Sequence, residues 1–178
     1  MADFRLDTPR LTLRAWQPGD EEHAWAMAQD PEVMRYLPAL SRAESDAMVA
    51  RMVAMQAEHG MTFWVTERRA DGAFLGMCGL CPPRAPLSEH EIGWRLARHA
   101  WGQGYGQEAA RAALGWAFAR LPIASIVAIT VPANTRSRAL MARIGMTHMP
   151  DEAFDHPGQP AGSPLSRHVL YRIHRETA

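Results

Sequence analysis

"WGQGYGQEAARAALGWAF", residues 101–118, places glycine at 102, 104 and 106 and runs directly into an alanine-rich helix. A turn needs one glycine and a helix start needs none. Glycine admits positive φ and lets other atoms approach the main chain closely. Successive N–H groups at a helix start converge on one spot, and the helix dipole adds positive potential there, which suits an anion such as phosphate. The alternative is a tight strand-to-helix turn with no ligand, and these residues alone fit both. Ala109, Ala110, Ala112 and Ala113 keep the helix slim enough to lie close on a sheet.

The flanking segments predict strand, helix and strand again. In "SEHEIGWRL" (88–96), Ile92, Trp94 and Leu96 share one face while Glu89, Glu91 and Gly93 share the other. The glycine-led helix stops at Leu121-Pro122. "ASIVAITV" (124–131) is continuously apolar and reads as a buried central strand. "NTRSRALMARIG" (134–145) is a helix with Asn134 as N-cap and Gly145 just past its end.

Toward the N-terminus, "RLTLRAW" (10–16) alternates Leu11, Leu13 and Ala15 against polar residues, predicting a half-buried strand. "DEEHAWAMAQ" (20–29) predicts a short helix with acids in its first turn. "SRAESDAMVARMVAMQAEHG" (41–60) opens with Ser41 and Glu44 in capping-box spacing and closes on Gly60. Its Met48, Met52 and Met55 recur at helical intervals and are read as core rather than as a binding surface. "MTFWVTERR" (61–69) and "AFLGMCGLCP" (73–82) flank Asp71-Gly72, a hairpin signal. Residues 150–165 hold four prolines and two glycines and read as a loop, and "SRHVLYRIH" (166–174) is a last strand. The prediction is one α/β domain over 1–178 on a mixed sheet.

Composition narrows the function. The chain has 178 residues, with 19 acidic and 19 basic side chains, so no basic field points to nucleic acid or an anionic membrane. All 19 bases are arginine. That excludes lysine nucleophiles and a Walker A loop, whose motif requires lysine. No apolar run reaches the roughly 18 residues of a membrane span, and charges near the N-terminus sit where a signal peptide would be apolar, so a cytoplasmic location is expected. Cys78 and Cys81 point to opposite faces if their segment is a strand. They read as buried thiols, with a redox C-x-x-C as the alternative. A dinucleotide fingerprint would need glycine at 107, where Gln107 stands, and an acid about 20 residues on, where the chain reads "LPIASI".

"EIGWRLARHAWGQGYGQEAARAAL" followed by "IVAITVPANTRSRALMARIGM" resembles the GNAT superfamily of N-acetyltransferases, in particular its RimJ/RimL-like branch. The opening "TPRLTLRAWQPGD", the N-x-x-S helix start and the late "FDHP…SRHVLYRI" extend the resemblance along most of the chain. Against the general signature Q/R-x-x-G-x-G/A, Trp101 takes the Q/R position, while Gly104 and Gly106 match. The resemblance implies a mixed, mostly antiparallel twisted sheet of about six to seven strands flanked by about four helices. It implies acetyl-coenzyme A as cosubstrate and no metal. Trp101, Gly102, Gln103, Gly104, Tyr105 and Gly106 would hold the pyrophosphate by main-chain N–H groups. The backbone of Trp94 to Leu96 would pair with the pantetheine arm like an added strand, and Asn134 and Ser137 would supply polar contacts.

The same resemblance implies direct attack by an amine on the thioester, which requires a neutral amine, a stabilised oxyanion and a protonated leaving thiolate. A lysine-type amine, with a pKa near 10.4, costs about 3 kcal/mol more to neutralise at pH 7 than an N-terminal amine near 8. Glu91 is the candidate base, acting through water, with Glu89 as the alternative; His90 points the other way. The family's tyrosine acid, four residues after the serine, is here Met141, which leaves Ser137 or an ordered water as the acid. The acceptor is expected near Tyr36, Trp64 and the "FDHP" segment, where Glu89, Glu91 and Asp155 could receive an amine. It is a protein N-terminus or a small-molecule amine. The assembly is left open between monomer and homodimer, and a non-catalytic acyl-CoA-binding module is the alternative function.

Overall fold

Local signals set the helix ends. Ser41 and Glu44 form a reciprocal capping box at the start of one long helix, and Gly60, at φ +67°, ends it. Asn134 accepts a bond from the Ser137 N–H at the start of another. Gly72, at φ +71°, turns the hairpin between two strands. The computed structural model describes residues 4–160 and 162–175. Its strands are β1 (Arg5–Asp7), β2 (Leu11–Arg14), β3 (Phe63–Arg68), β4 (Ala73–Cys81), β5 (His90–Leu96), β6 (Ser125–Thr130), β7 (Thr147–Asp155) and β8 (Arg167–His174). The helices are α1 (Asp20–Ala28), α2 (Pro31–Met34), α3 (Arg42–His59), α4 (Tyr105–Arg120) and α5 (Thr135–Arg143), with a 3-10 turn at Arg98–Ala100. No described helix is long and apolar enough to cross a membrane.

The strands form one sheet ordered β1-β2-β3-β4-β5-β6-β8-β7, antiparallel at every junction except β5–β6. α4 and α5 cover one face, where Ala109, Ala110 and Ala113 pack with Trp64, Cys78, Ile92 and Ile126. α1 and α3 cover the other face over β3 and β4, where Met48, Val49 and Met52 meet Val65 and Met77. Each fully buried aliphatic side chain contributes roughly 1.5–3 kcal/mol. The slim alanine face of α4 and the methionine core stripe of α3 are both present as expected.

Three expectations need correction. The described sheet has eight strands and five α-helices, not six to seven strands and four helices. β1, with three residues, is too short to show a pattern. The segment read as loop from 150 belongs to β7 as far as Asp155. Pro150 and the acids after it disguise a strand that lies at the sheet edge and bulges between Met149 and Phe154, where proline costs no ladder bond. Finally, β2 is not half-buried: Leu11, Thr12 and Leu13 are all buried. Leu11 and Leu13 join the core with α4, and Thr12 on the other face is held by Asp7 and Arg5, so alternating polarity does not track exposure.

Candidate active site

The site begins where the parallel ladder ends. β5 and β6 pair only at His90↔Ile126 and Glu91↔Val127, after which the strands diverge into a wedge. The Ala97 N–H bonds to Leu75 on β4, so alternation turns the N–H and C=O groups of Trp94 and Leu96 toward the wedge. Of these, the Leu96 carbonyl already accepts the Trp101 indole N–H at 2.8 Å. Trp94 therefore presents the open main-chain groups along this edge. Their side chains, with Ile92, pack toward α4.

The three glycines at the mouth of the wedge have separate reasons. Gly102 and Gly104 hold φ of +76° and +80°, in the left-handed region. Gly106 instead answers a packing limit, since a Cβ there would meet Leu140 at 3.2 Å and Leu96 at 3.3 Å. Gly104 is the N-cap of α4 and no side chain caps this helix, whose first bond runs from the Glu108 N–H to the Gly104 carbonyl. The first-turn N–H groups are thus left facing outward, a polarised main-chain cradle for a phosphate group. Tyr105 contributes main chain there; its ring is buried under the Arg10 guanidinium, 4.7 Å from the ring centre. Across the cradle, Arg136 of α5 lies over the Trp101 ring at 4.1 Å, bringing a cation to the same mouth.

A brace not foreseen from sequence fixes this loop. Glu108 accepts from Thr8 Oγ1 at 2.6 Å, the Arg10 N–H at 2.9 Å and Arg10 Nε at 2.6 Å. Arg10 NH1 then donates to the Gln103 carbonyl at 2.9 Å, inside the glycine loop. These hydrogen bonds hold the Glu108 carboxyl below its usual range despite opposing burial. An acid in a first helical turn reads as a dipole partner, which concealed its long-range role.

The opposite face of the wedge is built from side chains. Glu91 is buried, and its Oε2 accepts from Arg84 NH2 at 2.7 Å. Cys81 is its neighbour across β4–β5, and burial raises that thiol's pKa. Glu89 takes Arg172 NH2 at 2.6 Å as well as the Ser125 hydroxyl, and Arg172 also holds Glu152. Arg172 keeps both carboxyls below their ordinary range. Beside them a cavity of about 220 Å³ opens between Leu87, Val127, Phe154 and Leu170. His156 approaches from the loop after β7; burial, then His168 and Arg84, lower its pKa.

The expected residues fall into two groups. Trp94, Leu96, Trp101, Gly102, Gln103, Gly104, Tyr105 and Gly106 come together at the wedge mouth, with Asn134 and Ser137 on the start of α5. Glu91 lies at the last rung of the parallel ladder. Trp64 does not belong to the acceptor side: it is fully buried under α4, stacked on Phe4 and bonded to Gln56. Met141 is also core, so the position expected to carry an acid is filled by packing. The acids offered to an amine are already paired, Asp155 with Arg167 at 3.6 Å. Arg84, Arg172 and Glu108 carried no sequence signal beyond ordinary charge. Their partners lie between 7 and 100 residues away.

A family model described as acetyltransferase (GNAT) domain matches residues 10–147. The FsC-acetyl coenzyme A-N(2)-transacetylase of Aspergillus fumigatus is 32% identical over 185 residues, covering 96% of this chain and 76% of its own. The crystal structure of an acetyltransferase from Agrobacterium tumefaciens is 27% identical, with a TM-score of 0.80 over 98% of this chain and 96% of that one. RimL, a ribosomal L7/L12 α-N-protein acetyltransferase in complex with coenzyme A, shares the fold at a TM-score of 0.79. It is 15% identical over 96% of this chain and 98% of that one.

Proposed function

The chain belongs to the acetyltransferase (GNAT) family and is an acyltransferase, and on that premise we propose that it carries an acetyl group from acetyl-coenzyme A to a primary amine by direct attack. The acceptor is a protein N-terminus or a small-molecule amine, and residues 1–178 act as one transferase domain. The observation that carries this reading is the wedge: a parallel ladder that stops at Glu91, with an uncapped glycine-rich helix start at its mouth.

The residues fit the cosubstrate. An N-terminus without a side-chain cap, two left-handed glycines and a third whose Cβ would crowd Leu140 and Leu96 leave main-chain N–H groups as the donors at the helix start, which suits a diphosphate. Acetyl-coenzyme A, when bound, supplies an activated acyl group on a thiol leaving group. Gly102 to Gly106 would hold the diphosphate, and the Trp94 N–H and C=O would align the pantetheine arm in strand fashion. Ser137, half-buried on the first turn of α5, would donate a proton to the departing thiol. A thiol with a pKa near 8.5 needs only modest help at neutral pH.

Glu91 is the proton acceptor on the amine side. Arg84 engages Oε2, which leaves Oε1 to take a proton from the amine through water. The test is thiol release with acetyl-coenzyme A over peptides of varied N-terminus and small amines, repeated with Glu91→Gln and Ser137→Ala. Each substitution is expected to slow turnover at least tenfold. Activity within twofold of wild type in both would overturn the assigned roles.

A further inference from the structure

Around Glu91 several acids are held by cations, while the Arg95 guanidinium forms no ion pair among the described residues. Glu91 is held by Arg84, Glu89 and Glu152 by Arg172, Asp155 by Arg167, and Asp30 by Arg98. Arg95 stands apart. It lies on β5 opposite Met77, on the same face as Gly93 and Glu91. Its Nε is buried with no hydrogen-bond partner, and its NH1 reaches only the Met48 thioether at 3.7 Å. Among the described residues no carboxylate forms an ion pair with it. One turn before Met48 on α3, the Ser45 hydroxyl is likewise buried without a partner.

An unpaired guanidinium among Met48, Phe63 and Met77 is costly to desolvate, and burial alone lowers its pKa to about 10. A methionine or leucine would pack there without that cost. The coenzyme's phosphates do not answer the need, because their cradle lies at the α4 helix start while Arg95 points to the face under α3. The missing anion must arrive with the other substrate.

We propose that Arg95 is the anion-binding residue of the acceptor site, and that the amine acceptor carries a carboxylate which the guanidinium receives. This rests on the transferase reading above. The planar fork of arginine matches a carboxylate in a bidentate pair, and the desolvated setting strengthens it. Arg95 and Glu91 are four residues apart on one strand, roughly 13 Å at about 3.3 Å per residue. That span fits an amine and a carboxylate several bonds apart better than an α-amino acid. Gly93 forms the floor between them, and a side chain there would strike the Phe63 ring at 2.9 Å.

The test compares matched acceptors: ω-amino acids of increasing length and short peptides, each against its carboxamide, by thiol release with acetyl-coenzyme A. In wild type, kcat/KM for the carboxylate should exceed that for the carboxamide at least tenfold for some member of the series. Arg95→Met should erase the gap while leaving KM for acetyl-coenzyme A within about twofold. Arg95→Lys, which keeps the charge and loses the fork, should retain part of it and guards against misfolding of the methionine variant. Equal use of both partners by wild type, or a gap that survives in Arg95→Met, overturns the assignment. If no amine releases thiol, the transferase reading has failed. Calorimetric titration of N-acetyl-ω-amino acids and their amides into coenzyme A-saturated protein then decides: tenfold tighter carboxylate binding lost in Arg95→Met upholds the site, and equal or absent binding refutes it.

Discussion

The two sides of the wedge are made of different materials. The mouth facing α4 and α5 is main chain: open N–H groups, two left-handed glycines and a third pressed against Leu96 and Leu140. The opposite side is charge: Glu91 with Arg84, Glu89 and Glu152 with Arg172, and Arg95 with no acid. Main chain recognises what every chain member shares, and here that suits an invariant carrier. Side chains recognise what varies, and they suit the acceptor. One side therefore depends on local conformation and the other on contacts between distant segments.

The harshest test of that division is Gly104→Val. A β-branched residue at φ +80° is strained, and its Cβ would crowd Arg10 NH2 at 3.3 Å. Coenzyme A affinity is expected to fall about 100-fold, roughly 2.7 kcal/mol. Calorimetry measures it, while far-UV circular dichroism should stay unchanged. Affinity kept within threefold would mean that the mouth is not a main-chain site.

Glu108→Ala probes the same side from behind. Losing the brace to Thr8, Arg10 and, through Arg10, the Gln103 carbonyl should raise KM for acetyl-coenzyme A about tenfold, roughly 1.4 kcal/mol, with kcat at saturation within twofold. A fall in kcat with unchanged KM would place Glu108 elsewhere in the mechanism.

How far the sequence disclosed these two sides follows from the same contrast. The glycine spacing, the Asn134 cap and the alternation of 92–96 are local, so the mouth and its strand could be read in order along the chain. The Glu108 brace spans up to 100 residues and the Arg172–Glu89 pair spans 83. No periodicity reports such distances. Trp64 was misplaced because a tryptophan at a strand position does not reveal which face a helix will cover. β7 was missed because an edge strand tolerates the proline and acids that elsewhere signal a loop.

The charged side shows itself in acid. Arg172 depresses the Glu89 and Glu152 carboxyls, so their contribution to stability is complete above the ordinary carboxylate range and is lost as pH falls through the lowered values. Wild type should lose several degrees of melting temperature between about pH 5 and pH 3, and Arg172→Met should show a shallower acid limb. Parallel curves from differential scanning calorimetry would show that this cluster adds nothing.

The smallest effect is a silence. Cys78 is fully buried and its pKa is pushed up to about 12 by burial, so iodoacetamide at pH 8 should leave it unmodified in the native protein and label it after unfolding in guanidinium. Rapid native labelling would show that the layer beneath α4 opens readily, contrary to the close packing of Ala109 and Ala113.

A ladder with two rungs is also a hinge. Main-chain pairing joins β1–β5 to β6–β8 at only two described residue pairs, so opening across that seam breaks few main-chain bonds. A carrier arm lying along Trp94 would act as a splint, fastening both halves into one mechanical body. Amide hydrogens in β6 and β8 should then exchange more slowly once coenzyme A is added, and cofactor occupancy would set the stiffness of the sheet against which the second substrate is pressed.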